Sequence, residues 1–327
     1  MIHHQSLKRN TVMETMHRRH FLLRSITASA GFAGASTLLG TLLSAYGEAN
    51  KTSGTSKKLT LKTRQRIESP SGSGQFRVVE QKVKWDANQT ALIICDMWNE
   101  HWCKGATRRV AELAPRMDQL ATAARKQGVL IVHAPSSCMD SYRDHPARKR
   151  AMTAPTAANL PGDIKTWCNK IPAEEKGKYP IDQADGGCDD EPKCAGGSPW
   201  KRQIDVIQIK DEDAISDSGI EIWNLLEQRG IKNVMVMGVH TNMCVLGRPF
   251  GLRQMASHGK NTVLVRDLTD TMYNSKSWPH VNHFQGTELI VGHIEKFVCP
   301  TITSASILSE PAFRFKEDRR ESKGKKA

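Results

Sequence analysis

Six short apolar runs, alternating with stretches of helical spacing, constrain this chain more than any other feature. Residues 90–96 (TALIICD) are largely apolar and end in a carboxylate, as expected of a central strand buried on both faces. Residues 129–133, 204–209, 234–239, 262–265 and 300–304 are five further strand candidates. Between them, residues 108–127 put Val110, Leu113, Met117, Leu120 and Ala124 on one helical face, and Gly128 stops the helix. Residues 218–229, 244–258 and 286–297 supply the other helices. This β-α alternation predicts an α/β fold: a doubly wound, mostly parallel six-stranded sheet with helices on both faces.

The rest of the chain divides by composition. In residues 1–49, Arg18-Arg19-His20-Phe21-Leu22-Leu23 resembles a twin-arginine signal, and residues 25–46 carry no charge. Small residues near Ala45 and Ala49 offer cleavage sites. The expectation is a periplasmic or extracellular protein that meets the membrane only in transit. Residues 50–75, with Ser69-Pro70-Ser71-Gly72-Ser73-Gly74, read as a flexible basic linker, and residues 314–327 as a disordered basic tail. The formal charge of +13 sits in these flanks, and residues 76–313, the expected catalytic domain, are close to neutral. A nucleic-acid enzyme carries its positive charge on the folded surface, so no nucleic-acid partner is expected. Residues 153–200 break the strand-helix rhythm with six prolines, six glycines and three cysteines. They read as an insertion over one end of the sheet, with Trp167, Tyr179 and Trp200 suited to covering a small ligand.

Eight cysteines require an account in an oxidising compartment. Cys188 and Cys194, six positions apart in a loop of Gly, Asp and Pro, suit a local disulfide. A zinc site is the rival, but the chain has no CxxC pair. Cys95 and Cys299 lie in or beside apolar runs and read as buried thiols.

Ligands of open parallel sheets bind beyond the carboxyl ends of the strands. Asp96 ends the first strand, Lys210 follows residues 204–209, and Cys244 starts the helix after residues 234–239. A thiol in a first helical turn, near an ammonium, is expected to have its pKa lowered toward the thiolate. A carboxylate beside it can take the proton and return it to a leaving group.

Residues 238–245 (GVHTNMCV) resemble the nucleophile motif of the isochorismatase-like cysteine hydrolases, a family that includes nicotinamidases and N-carbamoylsarcosine amidases. Residues 91–96 resemble that family's first strand with its catalytic Asp, and Lys210 with residues 213–218 resembles its Lys segment. The resemblance covers about residues 88–305 and implies an Asp96-Lys210-Cys244 triad. It also implies a cis Val239–His240 peptide and an oxyanion hole formed by the N–H groups of His240 and Cys244. Trp98, His101, Trp102 and His240 are expected to border the substrate pocket. His240 departs from the small residue usual in the family. Residues 133–140 (HAPSSCMD) lack the metal-ligand arrangement of nicotinamidases, so no metal or other cofactor is expected. The implied activity is hydrolysis of a C–N bond in a small amide or ureide, by a chain expected to be homo-oligomeric. The alternatives are vinyl-ether hydrolysis, which needs no cysteine nucleophile, and a non-catalytic binding protein on the same fold.

Overall fold

A computed structural model describes residues 57–319 of the protein. The export segment expected over residues 1–49 lies outside the described residues, as do residues 320–327 of the expected tail. Among the described residues, no helix is long and apolar enough to cross a membrane.

The sheet is built on β3 (Thr90–Cys95), whose six residues are all buried. Alternation decides its two faces: Leu92 and Ile94 pack with one cluster, Ala91, Ile93 and Cys95 with the other. Parallel to it lie β4 (Leu130–Ala134) and the short β5 (Ala214–Ile215) on one side. On the other side come β6 (Asn233–Val239), β7 (Asn261–Asp270) and the short β8 (Thr301–Ile302). These six parallel strands are the predicted doubly wound core. α1 (Lys104–Arg125) buries Val110, Leu113, Met117, Leu120 and Ala124 on one face, as its spacing requires. At roughly 1.5–3 kcal/mol for each large apolar side chain, that stripe alone fixes the helix on the sheet. The opposite face is covered by α3 (Gly219–Gln228), α5 (Leu252–Ser257) and α6 (His283–Phe297). A short α2 (Pro146–Met152) lies between β4 and the insertion.

Three sequence expectations are corrected. The sheet has eight strands, because the middle of the expected linker is β1 (Lys58–Glu68), paired antiparallel along its length with β2 (Phe76–Asp86). Leu59, Leu61 and Thr63 alternate inward while Lys58, Thr60 and Lys62 face out, so the basic run is one face of a strand. Arg64 and Arg66 neutralise the buried Glu295 at 2.6 and 3.1 Å. The expected tail begins as packed chain, with Phe315 buried against Phe284 and Phe313. Residues 204–209 make turns, and the strand slot beside β4 is filled by β5, later in the chain.

Strand order β2-β1-β8-β7-β6-β3-β4-β5 places the winding reversal between β3 and β6. Ligands of open α/β sheets bind at that switch point. Gly238 makes the close approach there: its φ is 121°, and a Cβ would lie 2.0 Å from the Cys95 carbonyl oxygen.

Candidate active site

Asp96 and Cys244 meet at this switch point. Asp96 follows β3 and turns the chain through φ 48°, a left-handed conformation that aspartate tolerates better than most residues. Its side chain is fully buried. The Ser136 N–H donates to Asp96 Oδ1 at 2.7 Å, and Arg248 Nε donates to Oδ2 at 3.3 Å. The Cys244 thiol lies against the same carboxylate and also meets Arg248. Cys244 is 7% exposed, at the start of α4 (Cys244–Gly247).

Arg248 is the group that the sequence reading missed. Residues 244–258 were expected to form one helix, yet the chain leaves helical geometry at Arg248 (ψ 155°), immediately before Pro249. A residue preceding proline is pushed out of the α region by the proline ring. That break leaves the Arg248 guanidinium on Asp96 instead of along a continuing helix. The dipeptide Arg248-Pro249, one turn after the cysteine, was the available signal.

Lys210 is not part of this group. It precedes β5 instead of following a strand, its side chain is exposed, and its N–H donates to Asp213 at 2.8 Å. Asp213 is in turn occupied by Arg125 and His133, and the cation acting on Asp96 and Cys244 is Arg248 instead of Lys210. The side chains that the structure brings together at the switch point are therefore Asp96, Arg248 and Cys244.

The expected thiolate is also corrected. Burial, followed by the Asp96 charge, pushes the Cys244 thiol well above its ordinary pKa, and Arg248 only partly opposes this. Four-residue α4 has too few aligned peptide dipoles to compete with desolvation. Burial likewise raises Asp96, against the pull of Arg248 and the bonds from Cys244 and Ser136. The resting pair thus keeps its proton on sulfur. Alkylation of Cys244 by iodoacetamide is expected to lag behind the more exposed Cys168 at pH 7 and to accelerate only at strongly alkaline pH. Arg248→Met should push the Cys244 profile to still higher pH, whereas Lys210→Met should leave it within about twofold at every pH, as expected when an exposed charge is removed far from the site. Peptide-resolved alkylation rates check both substitutions.

The Val239–His240 peptide is cis, as the resemblance implies. Among the described residues, the N–H groups of His240 and Cys244 donate to no protein acceptor, while those of Thr241, Met243 and Val245 are all engaged. The His240 ring is buried, with Nε2 unpartnered among the described residues. Burial and the positive surroundings lower its pKa to about 3, so it is neutral.

The four expected pocket residues meet around His101. Trp98 stacks on Trp200 at 4.4 Å, His101 stacks beside both, and the His240 ring meets His101 edge-on at 4.9 Å. Trp102 tilts against His101 at 5.3 Å on its other side and also packs on the cluster of Cys103 and Cys188. Behind His240 lies a charged network at the end of β7. His283 bridges Asp270 (2.8 Å) and Asp189 (3.1 Å), and Arg109 binds both carboxylates. Burial alone would depress His283, but Asp270 and Asp189 raise it to about 9, so it is a cation at neutral pH.

Residues 153–200 lie over this edge and are anchored there. Trp167 packs on Gly247 and carries the Arg248 guanidinium over its ring, and Cys168 N–H donates to Gly247 at 2.8 Å. Glu174 is buried between Arg253 and His293, whose hydrogen bonds outweigh burial and hold its carboxyl down at about 2. A cleft of about 470 Å³ opens beside Asn242 and Met243, lined by Trp167, Tyr179 and Arg253. The expected Cys188–Cys194 disulfide is not formed. Both thiols are free and turn, with Cys103, toward the Asp190 carboxylate.

No family model and no curated protein matches the sequence. The fold is similar to several solved structures. One is a cysteine hydrolase from Pseudomonas syringae pv. phaseolicola (16% identity, TM-score 0.43, 69% of this chain and 93% of that one). Another is an isochorismatase family protein from Burkholderia thailandensis (14% identity, TM-score 0.38, 68% and 95%). A third is an isochorismatase from Pseudomonas putida (14% identity, TM-score 0.41, 68% and 91%). At these identities and scores the likeness decides neither chemistry nor substrate, which rest on the residues at the switch point.

Proposed function

We propose that the protein is a cysteine hydrolase that cleaves a C–N bond of a small amide or ureide through a thioacyl intermediate on Cys244. The observation that carries this reading is the Cys244 thiol set against the buried Asp96 carboxylate, with Arg248 bonded to Asp96 and beside the thiol.

In this reading Asp96 accepts the thiol proton as sulfur forms its bond to the substrate carbonyl. The carbonyl π electrons move to oxygen, where the N–H groups of His240 and Cys244 stabilise the charge. Asp96 then delivers the proton to the departing nitrogen as the C–N bond breaks, leaving a thioester. A water molecule, deprotonated by Asp96, attacks that thioester, and the proton returns to sulfur as the acid is released. A thiol that is neutral at rest and ionised only on attack suits a nearly closed pocket, because no unpaired thiolate is buried between turnovers. Arg248 keeps the carboxylate from becoming too basic to release its proton.

The test is a panel of primary amides, N-carbamoyl compounds and enol ethers offered to wild type and Cys244→Ala. Ammonia or amine release by wild type alone is the expected result. Enol-ether cleavage undiminished in Cys244→Ala would replace this reading with acid-catalysed hydrolysis by Asp96.

A further inference from the structure

We propose that Cys103, Cys188, Cys194 and Asp190 form a structural zinc site that clamps the 153–200 insertion onto the start of α1. It lies outside the Asp96–Cys244 pair and does not depend on the reaction proposed above.

Three thiols, one from the start of α1 and two from the insertion, converge on one carboxylate oxygen. Asp190 Oδ2 is 3.4 Å from Cys103 Sγ, 3.9 Å from Cys188 Sγ and 3.3 Å from Cys194 Sγ. Tetrahedral zinc with Zn–S near 2.3 Å and Zn–O near 2.0 Å requires O···S edges of about 3.5 Å and S···S edges of about 3.8 Å. The three O···S distances scatter around the first value. The ligand atoms of Cys103, Cys188 and Asp190 all lie within 4.8 Å of one another, whereas Cys194 Sγ, close to Asp190, lies outside that group and moves inward to complete the tetrahedron. Cys188 also sits within hydrogen-bonding reach of both other thiols. A Cys188–Cys194 or Cys103–Cys188 disulfide would use two of these groups and strand the third, whereas one tetrahedral ion uses all four.

The surroundings suit an anionic cluster. The N–H groups of Lys104, Gly105 and Ala106 donate to Cys194 Sγ, Asp190 Oδ2 and Cys103 Sγ at 3.4, 2.6 and 3.4 Å. Arg108 binds the other oxygen, Oδ1, at 2.9 Å, leaving Oδ2 turned to the sulfurs. Three thiolates and a carboxylate around a dication carry a net charge of −2, which these donors and the N-terminus of the 22-residue α1 offset. Cys103 and Cys188 are buried, and four protein ligands leave no open position, as in structural zinc sites. The consequence reaches the pocket: Cys103 N–H donates to His101 Nδ1, and His101 meets the His240 ring. Sequence inspection set zinc aside for want of a CxxC pair, because one thiol comes from the start of α1 and two from the insertion.

The experiment uses the full chain, reduced, stripped with chelator and reloaded with Zn²⁺ or Co²⁺. The expected result is about one ion per chain, with Co²⁺ giving intense tetrahedral visible bands and a thiolate charge-transfer band. Cys194→Ser, at the most exposed ligand, and Asp190→Asn should each weaken Co²⁺ binding at least tenfold and alter those bands. For wild type, which needs no variant to fold, chelation should lower Tm by roughly 5 °C or more, as expected for loss of a ligand that binds only the folded state. Absence of the charge-transfer band, uptake equal in wild type and Cys194→Ser, or a Tm indifferent to chelator in the reduced protein would each overturn the proposal.

Discussion

Cys244→Ala is expected to reduce amide or ureide turnover by at least about 10⁴-fold, since the variant lacks the only atom placed to form the covalent intermediate. The loss should be purely chemical. The thiol is nearly buried, but its polar contacts are with Asp96 and Arg248, which keep each other as partners when sulfur is removed. Alanine fits the α4 start, and the lost packing of one sulfur is worth about 1 kcal/mol. Circular dichroism and a denaturation curve should therefore overlay closely on wild type. Substrate should still bind, with Kd altered by less than about threefold, as expected when the missing group acts only in the transition state.

Asp96→Asn carries the second large effect and a counterintuitive companion. Turnover should fall by roughly 10³–10⁴-fold, because the amide can neither take the thiol proton nor protonate the departing nitrogen. Asparagine tolerates the left-handed backbone at this position and keeps an oxygen for the Ser136 N–H, so the fold should persist. Yet Cys244 should become easier to alkylate. After burial, the Asp96 charge is the next largest influence raising that thiol, so its removal lowers the Cys244 pKa toward the ordinary range. A faster alkylation rate combined with lost turnover separates proton shuttling from general damage, which would slow both or expose every thiol alike.

The parts of this site that were legible in the sequence are those encoded locally. Asp96 ends one apolar run and Cys244 follows shortly after another, and both runs formed strands where expected. Lys210 misled because residues 204–209 are as apolar as a strand, yet Ile204 and Ile207 bury themselves from a turn, beside α1. Arg248 stayed hidden because its position depends on a helix break, which helical periodicity cannot show. β1 stayed hidden because alternating lysines and arginines were read as a charge run, although Leu59 and Leu61 at every second position carried the strand signal. The cluster around Asp190 depends on tertiary approach, and no spacing within the sequence reports it. Arg248 and β1 were missed although local signals existed, whereas the Asp190 cluster and the turn at residues 204–209 depend on tertiary contacts.

The covalent step is tested most directly by rapid quenching of wild type and Asp96→Asn with a turned-over amide, followed by peptide mass mapping. The account predicts an acyl mass increment on the peptide containing Cys244 in wild type, strongly reduced in Asp96→Asn, where acylation itself lacks its proton carrier, and absent from Cys95, Cys138 and every other thiol. Turnover at full rate with no increment on Cys244 would contradict it.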